Sequence, residues 1–152
     1  MKNPKPEIVL ATQDAILPPS LARWTASVLS RVAQQMRERF ETRVAHLGLR
    51  NKHYGVLIVL QDGPLTQTEI SRSVAVDRTS MVGLIDELDR LGLVERARHP
   101  QDRRAHAVTL TEQGREALRL TTAAVDATEA ECFAALSPGE QKQLRALLLK
   151  LL

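Results

Sequence analysis

One stretch of the chain, residues 65–110, constrains the fold more than any other. It opens with Thr66 and Glu69 in a T-x-x-E spacing. In this spacing the threonine hydroxyl accepts from the glutamate N–H while the carboxylate accepts from the threonine N–H, which predicts the start of a short helix. After a tight turn at residues 75–76, Asp77 is well suited to cap a second helix that runs through Leu91.

The second predicted helix is amphipathic and ends at Gly92, which suits a left-handed C-cap. Its apolar positions are Met81, Leu84, Ile85, Leu88 and Leu91. The residues that follow favour a strand over 93–98, a turn over 99–104 and a returning strand over 105–110. His106 alternates with Val108 and Leu110, so we expect it to face the core. Helix, turn, helix and β-hairpin in this order predict a winged helix-turn-helix, an arrangement suited to reading DNA.

Composition favours helices around this unit, because hydrophobic residues make up 43% of the 152 residues and aromatic residues only 3%. The formal charge of +3 is compatible with a nucleic-acid partner but does not demonstrate one. Cys132 is the only cysteine, which excludes an intrachain disulfide and a Cys-rich metal site. We find neither a secretory signal nor a run long enough to span a membrane, so we expect a cytoplasmic protein without a membrane partner.

The region before the winged unit is predicted to hold an arm and a dimerisation helix. Residues 1–19 contain four prolines and are expected to form an extended N-terminal arm. Ser20 is expected to cap a long helix over 20–47. The apolar stripe of that helix is longer than one small winged lobe can cover, so its excess is expected to meet a second subunit.

The winged lobe is assigned to residues 48–110, and residues 111–152 are expected to form C-terminal helices that complete the dimerisation region. Thr111 is expected to cap the first of these helices. Ser137 and Glu140 form a second capping box, with a proline at the favoured first helical position. The predicted fold class is therefore mainly α: a winged helix-turn-helix with a small antiparallel β-wing and N- and C-terminal dimerisation helices, in one structural domain overall.

Residues 49–120 resemble the MarR (multiple antibiotic resistance regulator) family of bacterial transcription factors. The matching segments are LTQTEI at 65–70, VDRTSMV at 76–82, LGLVER at 91–96 and, most specifically, DRR at 102–104 with LTEQGR at 110–115. The resemblance implies a homodimer that binds a pseudo-palindromic operator in double-stranded DNA and responds to a small ligand or an oxidant. It favours a sequence-specific regulator, most often a repressor.

The N-terminal residues of the second helix in a helix-turn-helix meet base edges in the major groove. Here these residues are Arg78, Thr79 and Ser80, followed one turn later by Val82 and Gly83. Arg78 suits a bidentate contact to guanine. A glycine such as Gly83 destabilises a helix interior by about 1 kcal/mol relative to Ala. Its presence here is explained either by close approach of DNA to the backbone or by a neutral surface position. The alternative for the whole set is a solvated first turn on a core helix.

The hairpin supplies a second set of candidate DNA contacts, namely Arg98, Asp102, Arg103 and Arg104. Arginines at a hairpin tip suit a narrow minor groove, where the negative potential is enhanced. The resemblance makes Arg104 the minor-groove arginine, and Asp102 is placed to hold its guanidinium. An exposed charged hairpin is the alternative. Further candidates for phosphate contacts are Gln67, Thr68 and Arg72.

An effector site is predicted from residues that combine apolar area with a polar group, namely Trp24, His46, His53 and Tyr54. Relatives often hold ligands between the dimerisation helices and the winged lobe, so we expect these residues to contact a small aromatic or anionic effector. Their alternative roles are a buried aromatic ring and a surface histidine.

Enzymatic functions are disfavoured, because the sequence has no Gly-rich phosphate loop, zinc-ligand spacing or G-x-S-x-G motif. We therefore predict no catalytic residue, cofactor or metal. The runner-up is a winged-helix adaptor that binds proteins and no longer reads DNA, against which Arg103 and Arg104 argue. A redox switch would depend on Cys132 alone, and this late-helix thiol is expected to be inert.

Overall fold

The computed structural model describes residues 9–10, 16–98 and 106–152. In chain order its elements are β1 (Val9–Leu10), β2 (Ile16–Leu17), α1 (Pro19–Ala22), α2 (Thr25–Val44), a 3₁₀ turn (Ala45–Leu47), α3 (Asn51–Val59), β3 (Leu65–Thr66), α4 (Gln67–Val74), α5 (Arg78–Arg90), β4 (Val94–Arg98), β5 (His106–Leu110), α6 (Glu112–Cys132) and α7 (Pro138–Leu149). The predicted fold class is confirmed. Within the described ranges, no helix is long and apolar enough to cross a membrane.

Side-chain caps begin four helices at the predicted residues. Thr66, Asp77, Thr111 and Ser137 each accept the N–H of the residue three positions on, at 3.3, 2.9, 3.0 and 3.4 Å. Glu69 and Glu140 complete two capping boxes by accepting the N–H of Thr66 at 2.7 Å and of Ser137 at 2.8 Å. Each such cap stabilises its helix by about 1 kcal/mol.

The prediction of one long helix from Ser20 is wrong. Pro19 is the first residue of α1, which ends at Ala22, and α2 is a separate helix that begins at Thr25. Proline suits the first helical position because its missing N–H would have had no partner there. Between the helices the Trp24 N–H bonds the carbonyl of Leu21 at 3.0 Å. The new start coincides with Thr25 and Ser27, whose short polar side chains are favoured near helix ends over interiors.

The chain divides into two compact units, Met1–Arg39 and Phe40–Leu152, and the winged lobe belongs to the second. In the second unit the core consists of apolar side chains from the helices and the sheet. Its largest buried members include Phe40, Leu57, Ile70, Met81, Ile85, Leu88, Val94, Leu110 and Leu118. This core buries one face each of α4 and α5, which leaves their opposite faces exposed.

A three-stranded antiparallel sheet carries the wing, with β5 in the centre and β3 and β4 at its edges. Because β5 is central, its consecutive residues Ala107 and Val108 are both buried. The prediction that His106 faces the core is wrong: this residue is exposed and pairs with Arg98 at the end of the ladder nearest the hairpin tip. The core does not extend to that end of the hairpin.

Candidate nucleic-acid interface

Helix α5 has one buried face and one exposed face. Met81, Leu84, Ile85 and Leu88 are buried, whereas the opposite stripe is exposed and consists of Arg78, Thr79, Val82 and Gly83. We call these four residues the exposed stripe. Ser80 is also exposed. The five residues predicted to meet bases therefore all lie on the solvent side of the first half of α5.

Asp77 sets the start of the exposed stripe. Its carboxylate accepts the Ser80 N–H at 2.9 Å, and hydrogen bonds from the Ser80 side chain and backbone lower the pKa of Asp77 below its ordinary value. The carboxylate therefore stays ionised at neutral pH. Its negative charge interacts favourably with the positive, N-terminal end of the dipole of α5. Arg78 and Thr79 follow directly, on the first turn of a capped helix.

The turn between α4 and α5 passes through Ala75, which has a left-handed backbone with φ of 52°. The N–H groups of Ala75 and Val76 both bond the carbonyl of Ser71, which closes α4 tightly. On α4 itself, the predicted phosphate contacts Thr68 and Arg72 are exposed and Gln67 is half-buried. All three lie on the helix that precedes the exposed stripe.

Arg96 joins the wing to α5. From strand β4 its guanidinium donates to the carboxylate of Asp86, and it also lies 3.9 Å from the carboxylate of Asp89. Both aspartates stand in the second half of α5. Arg96 therefore holds the wing against the helix that carries the exposed stripe. The sequence analysis did not identify this pairing, whose only signal was an arginine that follows an acidic helix end.

The tip of the wing lies outside the described residues. This applies to Asp102, Arg103 and Arg104, and the backbone of Arg98 is the last described point before them. The β4 and β5 ladder leads toward this tip from the end of the hairpin where Arg98 pairs with His106. The three tip residues and Arg98 remain predicted DNA contacts.

A second link connects α5 to α3. His53 is only 2% exposed, and its Nδ1 accepts the backbone N–H of Arg50 at 3.1 Å. The proton must then be on Nε2, which donates to Glu87 on α5 at 2.8 Å. The Arg50 guanidinium donates to the same carboxylate oxygen at 2.5 Å. Hydrogen bonds from His53 and then Arg50 lower the pKa of Glu87.

The four predicted effector residues have different environments. In the first unit Trp24 is 55% exposed, with the Arg23 guanidinium 4.7 Å from its ring centre. In the second unit His46 is exposed, whereas Tyr54 is half-buried with its ring centre 5.6 Å from that of Phe40. His53 has both ring nitrogens engaged within the chain. Of the four, Trp24 and His46 offer accessible surface for a ligand.

A surface cavity of about 290 Å³ lies in the second unit, and none of these four residues lines it. Its lining is mainly apolar and consists of Leu47, Leu49, Leu93, Gln113, Glu116, Ala117 and Leu120. Among the described residues, no group of three or more His, Cys, Asp and Glu side chains is arranged to hold a metal ion. Cys132 is half-buried at the end of α6.

The capped helix pair, the exposed stripe and the three-stranded sheet define a winged helix-turn-helix protein. The sequence model of the MarR family matches residues 47–105. A probable transcriptional regulator from Pseudomonas aeruginosa is 30% identical in sequence and superposes with a TM-score of 0.78. That alignment covers 87% of this chain and 99% of the other. The chain belongs to the MarR family of transcriptional regulators.

Two structures of another similar protein show different ligands. CouR from Rhodococcus jostii RHA1 bound to p-coumaroyl-CoA is 29% identical with a TM-score of 0.79, over 88% of this chain and 94% of that chain. The transcriptional repressor CouR bound to a 23-mer DNA duplex is also 29% identical with a TM-score of 0.79, over 88% of this chain and 95% of that chain.

Proposed function

We propose that this regulator is a homodimeric repressor that acts in the cytoplasm, binds a pseudo-palindromic operator and is released by a small effector. The observation that carries the proposal is the exposed stripe of α5, which combines a guanidinium, a hydroxyl, an apolar side chain and a glycine on the face opposite the core. A helix presented in this way suits the major groove. The similar repressor CouR has been captured on a 23-mer DNA duplex, which supports DNA binding as the function.

Within this proposal each group of residues has its own role. Arg78, Thr79 and Ser80 meet base edges, with Val82 and Gly83 one turn later. Gln67, Thr68 and Arg72 on α4, together with Arg98 and Arg103 of the wing, bind phosphates. Arg104 enters the minor groove with Asp102 holding its guanidinium, since a narrow groove attracts arginine.

The homodimer is supported by apolar surface that the single chain leaves uncovered. Helix α7 has no buried residue at all, although it and the residues after it contain several leucines. Large exposed aliphatic side chains occur in the first unit at Leu21, Val28 and Leu29, and near the C-terminus at Leu147, Leu149, Leu151 and Leu152. Surface of this extent is typical of an interface. A two-fold dimer presents two α5 helices to successive major grooves about 34 Å apart, which is why we expect a pseudo-palindrome.

The effector is proposed to be an aromatic anion. Support comes from exposed Trp24 with the cationic Arg23 beside its ring and from CouR, which binds the aromatic, phosphate-bearing p-coumaroyl-CoA. Trp24 is the only tryptophan, so its fluorescence reports on this position alone. Aromatic carboxylates and their coenzyme A thioesters should quench this fluorescence and release operator DNA. A panel that does neither would remove the effector from the proposal.

DNA binding is tested by selection of duplexes from a random pool with the full chain. A recovered inverted repeat with half-site centres one helical turn apart is expected. Arg78→Ala should cost about 1–3 kcal/mol at one matched base and relax the preference there. Arg104→Ala should weaken binding to all sites and lower the salt dependence by a slope of about 1 per subunit. Recovery of no enriched sequence contradicts the proposed function, and unchanged binding by Arg104→Ala contradicts the role of the wing.

A further inference from the structure

Neither core packing nor helix propensity explains why residue 82 is the apolar residue valine. The other aliphatic and sulfur-containing side chains of α5 within its span are buried, whereas Val82 is 41% exposed. As a β-branched residue it is also a poorer helix former than Ala, because its side chain loses rotamer freedom against the preceding turn. Neither the core nor the helix therefore calls for valine at this place.

The neighbours of Val82 describe the surface that would meet it. Val82 follows Arg78 by four residues and Thr79 by three, so it lies one turn further along the same face. The next residue is Gly83, where an added Cβ would meet no atom of the described residues within 4 Å beyond the backbone of its own helix. Val82 is consequently a small apolar spot with a cation and a hydroxyl on one side and a glycine on the other.

The major groove offers one prominent apolar group, the C5-methyl of thymine. A valine side chain packs well against that methyl, whereas it would leave the amino group of cytosine at the same place without an acceptor. One helical turn rises about 5.4 Å and stacked bases are about 3.4 Å apart. A contact from Val82 therefore falls about one to two base pairs from the base that Arg78 contacts.

We infer that Val82 reads the C5-methyl group of a thymine in each operator half-site, one or two base pairs from the base contacted by Arg78. This inference rests on the proposed function, because it assumes that the exposed stripe enters the major groove. It assigns the specificity of one position in the operator to one apolar side chain.

Replacement of thymine by uracil tests the inference, because uracil differs only by the missing C5-methyl. Each thymine of the selected operator is replaced in turn, in both half-sites together, and affinity is measured with the full chain. At one symmetric position the substitution should weaken binding about fourfold per half-site, which corresponds to the burial of one methyl group at about 0.8 kcal/mol. At that position 5-methylcytosine should bind more tightly than cytosine.

The variant Val82→Ala should bind the thymine and uracil operators with equal affinity. Val82→Thr keeps the volume and one methyl group, so it should retain part of the difference in affinity between the thymine and uracil operators. It therefore shows whether the loss of that difference in Val82→Ala comes from the lost methyl contact. Leu91→Ala is the matched control, because Leu91 is 43% exposed at the opposite end of the same helix. It should retain the full uracil penalty. Circular dichroism of each variant checks the fold.

Two results overturn the inference while leaving the proposed function intact. One is an operator that binds tightly but shows no uracil penalty within two base pairs of the base read by Arg78. The other is a full uracil penalty in Val82→Ala, which would assign the methyl contact to a different residue. Failure of the intact protein to enrich any duplex would instead refute the proposed function itself.

Discussion

Gly114 stands where α6 passes closest to the start of β4. A Cβ added at this residue would lie 1.9 Å from the carbonyl oxygen of Leu93, which is backbone and has little freedom to move. The same place is tied by Thr111, whose hydroxyl donates to the Gly92 carbonyl at 2.6 Å and accepts the Gly114 N–H at 3.0 Å. At residue scale, this junction therefore requires the absence of a side chain.

Replacement of Gly114 by Ala should lower the free energy of unfolding by about 1–3 kcal/mol, because the added methyl forces the backbone apart in a packed region. Gly139→Ala in the first turn of α7 is the control. Beyond the backbone of its own helix, no atom in the described ranges lies within 4 Å of its added Cβ, so the effect of this substitution should be neutral or slightly stabilising. Urea unfolding of both variants measures the difference, and an unchanged midpoint for Gly114→Ala would contradict the close contact.

Gly83 should respond to the same substitution in the opposite way. Nothing in the described part of the chain lies within 4 Å of an added Cβ, and alanine is the better helix former by about 1 kcal/mol. Gly83→Ala should thus raise the melting temperature of the free protein. It should also weaken operator binding if the DNA approaches the backbone there. A variant that is more stable and binds operator as well as the wild type would show that Gly83 is a neutral surface position.

At the scale of elements, two links fix the orientation of α5. Arg96 ties it to strand β4 through Asp86 and Asp89, while Glu87 ties it to α3 through His53 and Arg50. The α5 residues of both links lie in the second half of the helix. The exposed stripe lies in the first half and takes part in neither link. The two links therefore lie toward the C-terminal end of α5, and the exposed stripe lies toward its N-terminal end.

Arg96→Ala should lower operator affinity more than it lowers stability. Its ion pairs are partly exposed, and such pairs contribute at most about 1 kcal/mol to folding. The loss of binding should come from a wing that is no longer held against α5. Asp86→Ala removes the same pair but keeps the cation, so the two variants and their double should be non-additive in operator affinity. If Asp86→Ala leaves affinity unchanged while Arg96→Ala reduces it, Arg96 acts directly on DNA instead.

The Glu87 link should be lost in acid. Because its folded-state pKa lies below the ordinary value of 4.5, the carboxylate contributes stability that is complete above that value. The contribution is lost as the pH falls through the lowered folded-state pKa. The difference in melting temperature between wild type and Glu87→Gln should therefore narrow below pH 4.5. A difference that stays constant from pH 7 to pH 3 would show that the charge of Glu87 contributes nothing.

At the scale of the whole molecule, the contacts that the sequence predicted join residues close together in the chain, and the contacts that it missed join residues far apart in the chain. The caps at Thr66, Asp77, Thr111 and Ser137 were predicted correctly because each depends on residues three positions apart. The pairs of His53 with Glu87 and of Arg96 with Asp86 were missed, because they join separate elements whose packing no local pattern specifies. The base contacts and the wing tip remain predictions from sequence spacing and family resemblance.

The exposed apolar surface of α7 leads to a prediction about how two copies of the chain assemble. Helix α7 spans twelve residues and buries none of them. Leu147 is 51% exposed and Leu151 just beyond the helix is 77% exposed. A helix gains most of its stability from packing an apolar face, so we expect this one to pack against a second chain. We expect Leu147→Glu to place a charge in that interface and to shift the protein from dimer to monomer in sedimentation measurements.

Operator affinity should fall when Leu147→Glu disrupts the dimer, because joining two half-site contacts in one molecule raises affinity by about 10²–10⁴-fold. Binding to an isolated half-site should change far less. Gln143→Glu adds the same charge at an exposed polar position of α7 and serves as the control. It should remain dimeric with normal affinity. If Leu147→Glu remains a dimer that binds the full operator normally, α7 does not form the interface, and the exposed apolar residues of the first unit become the place to search for it.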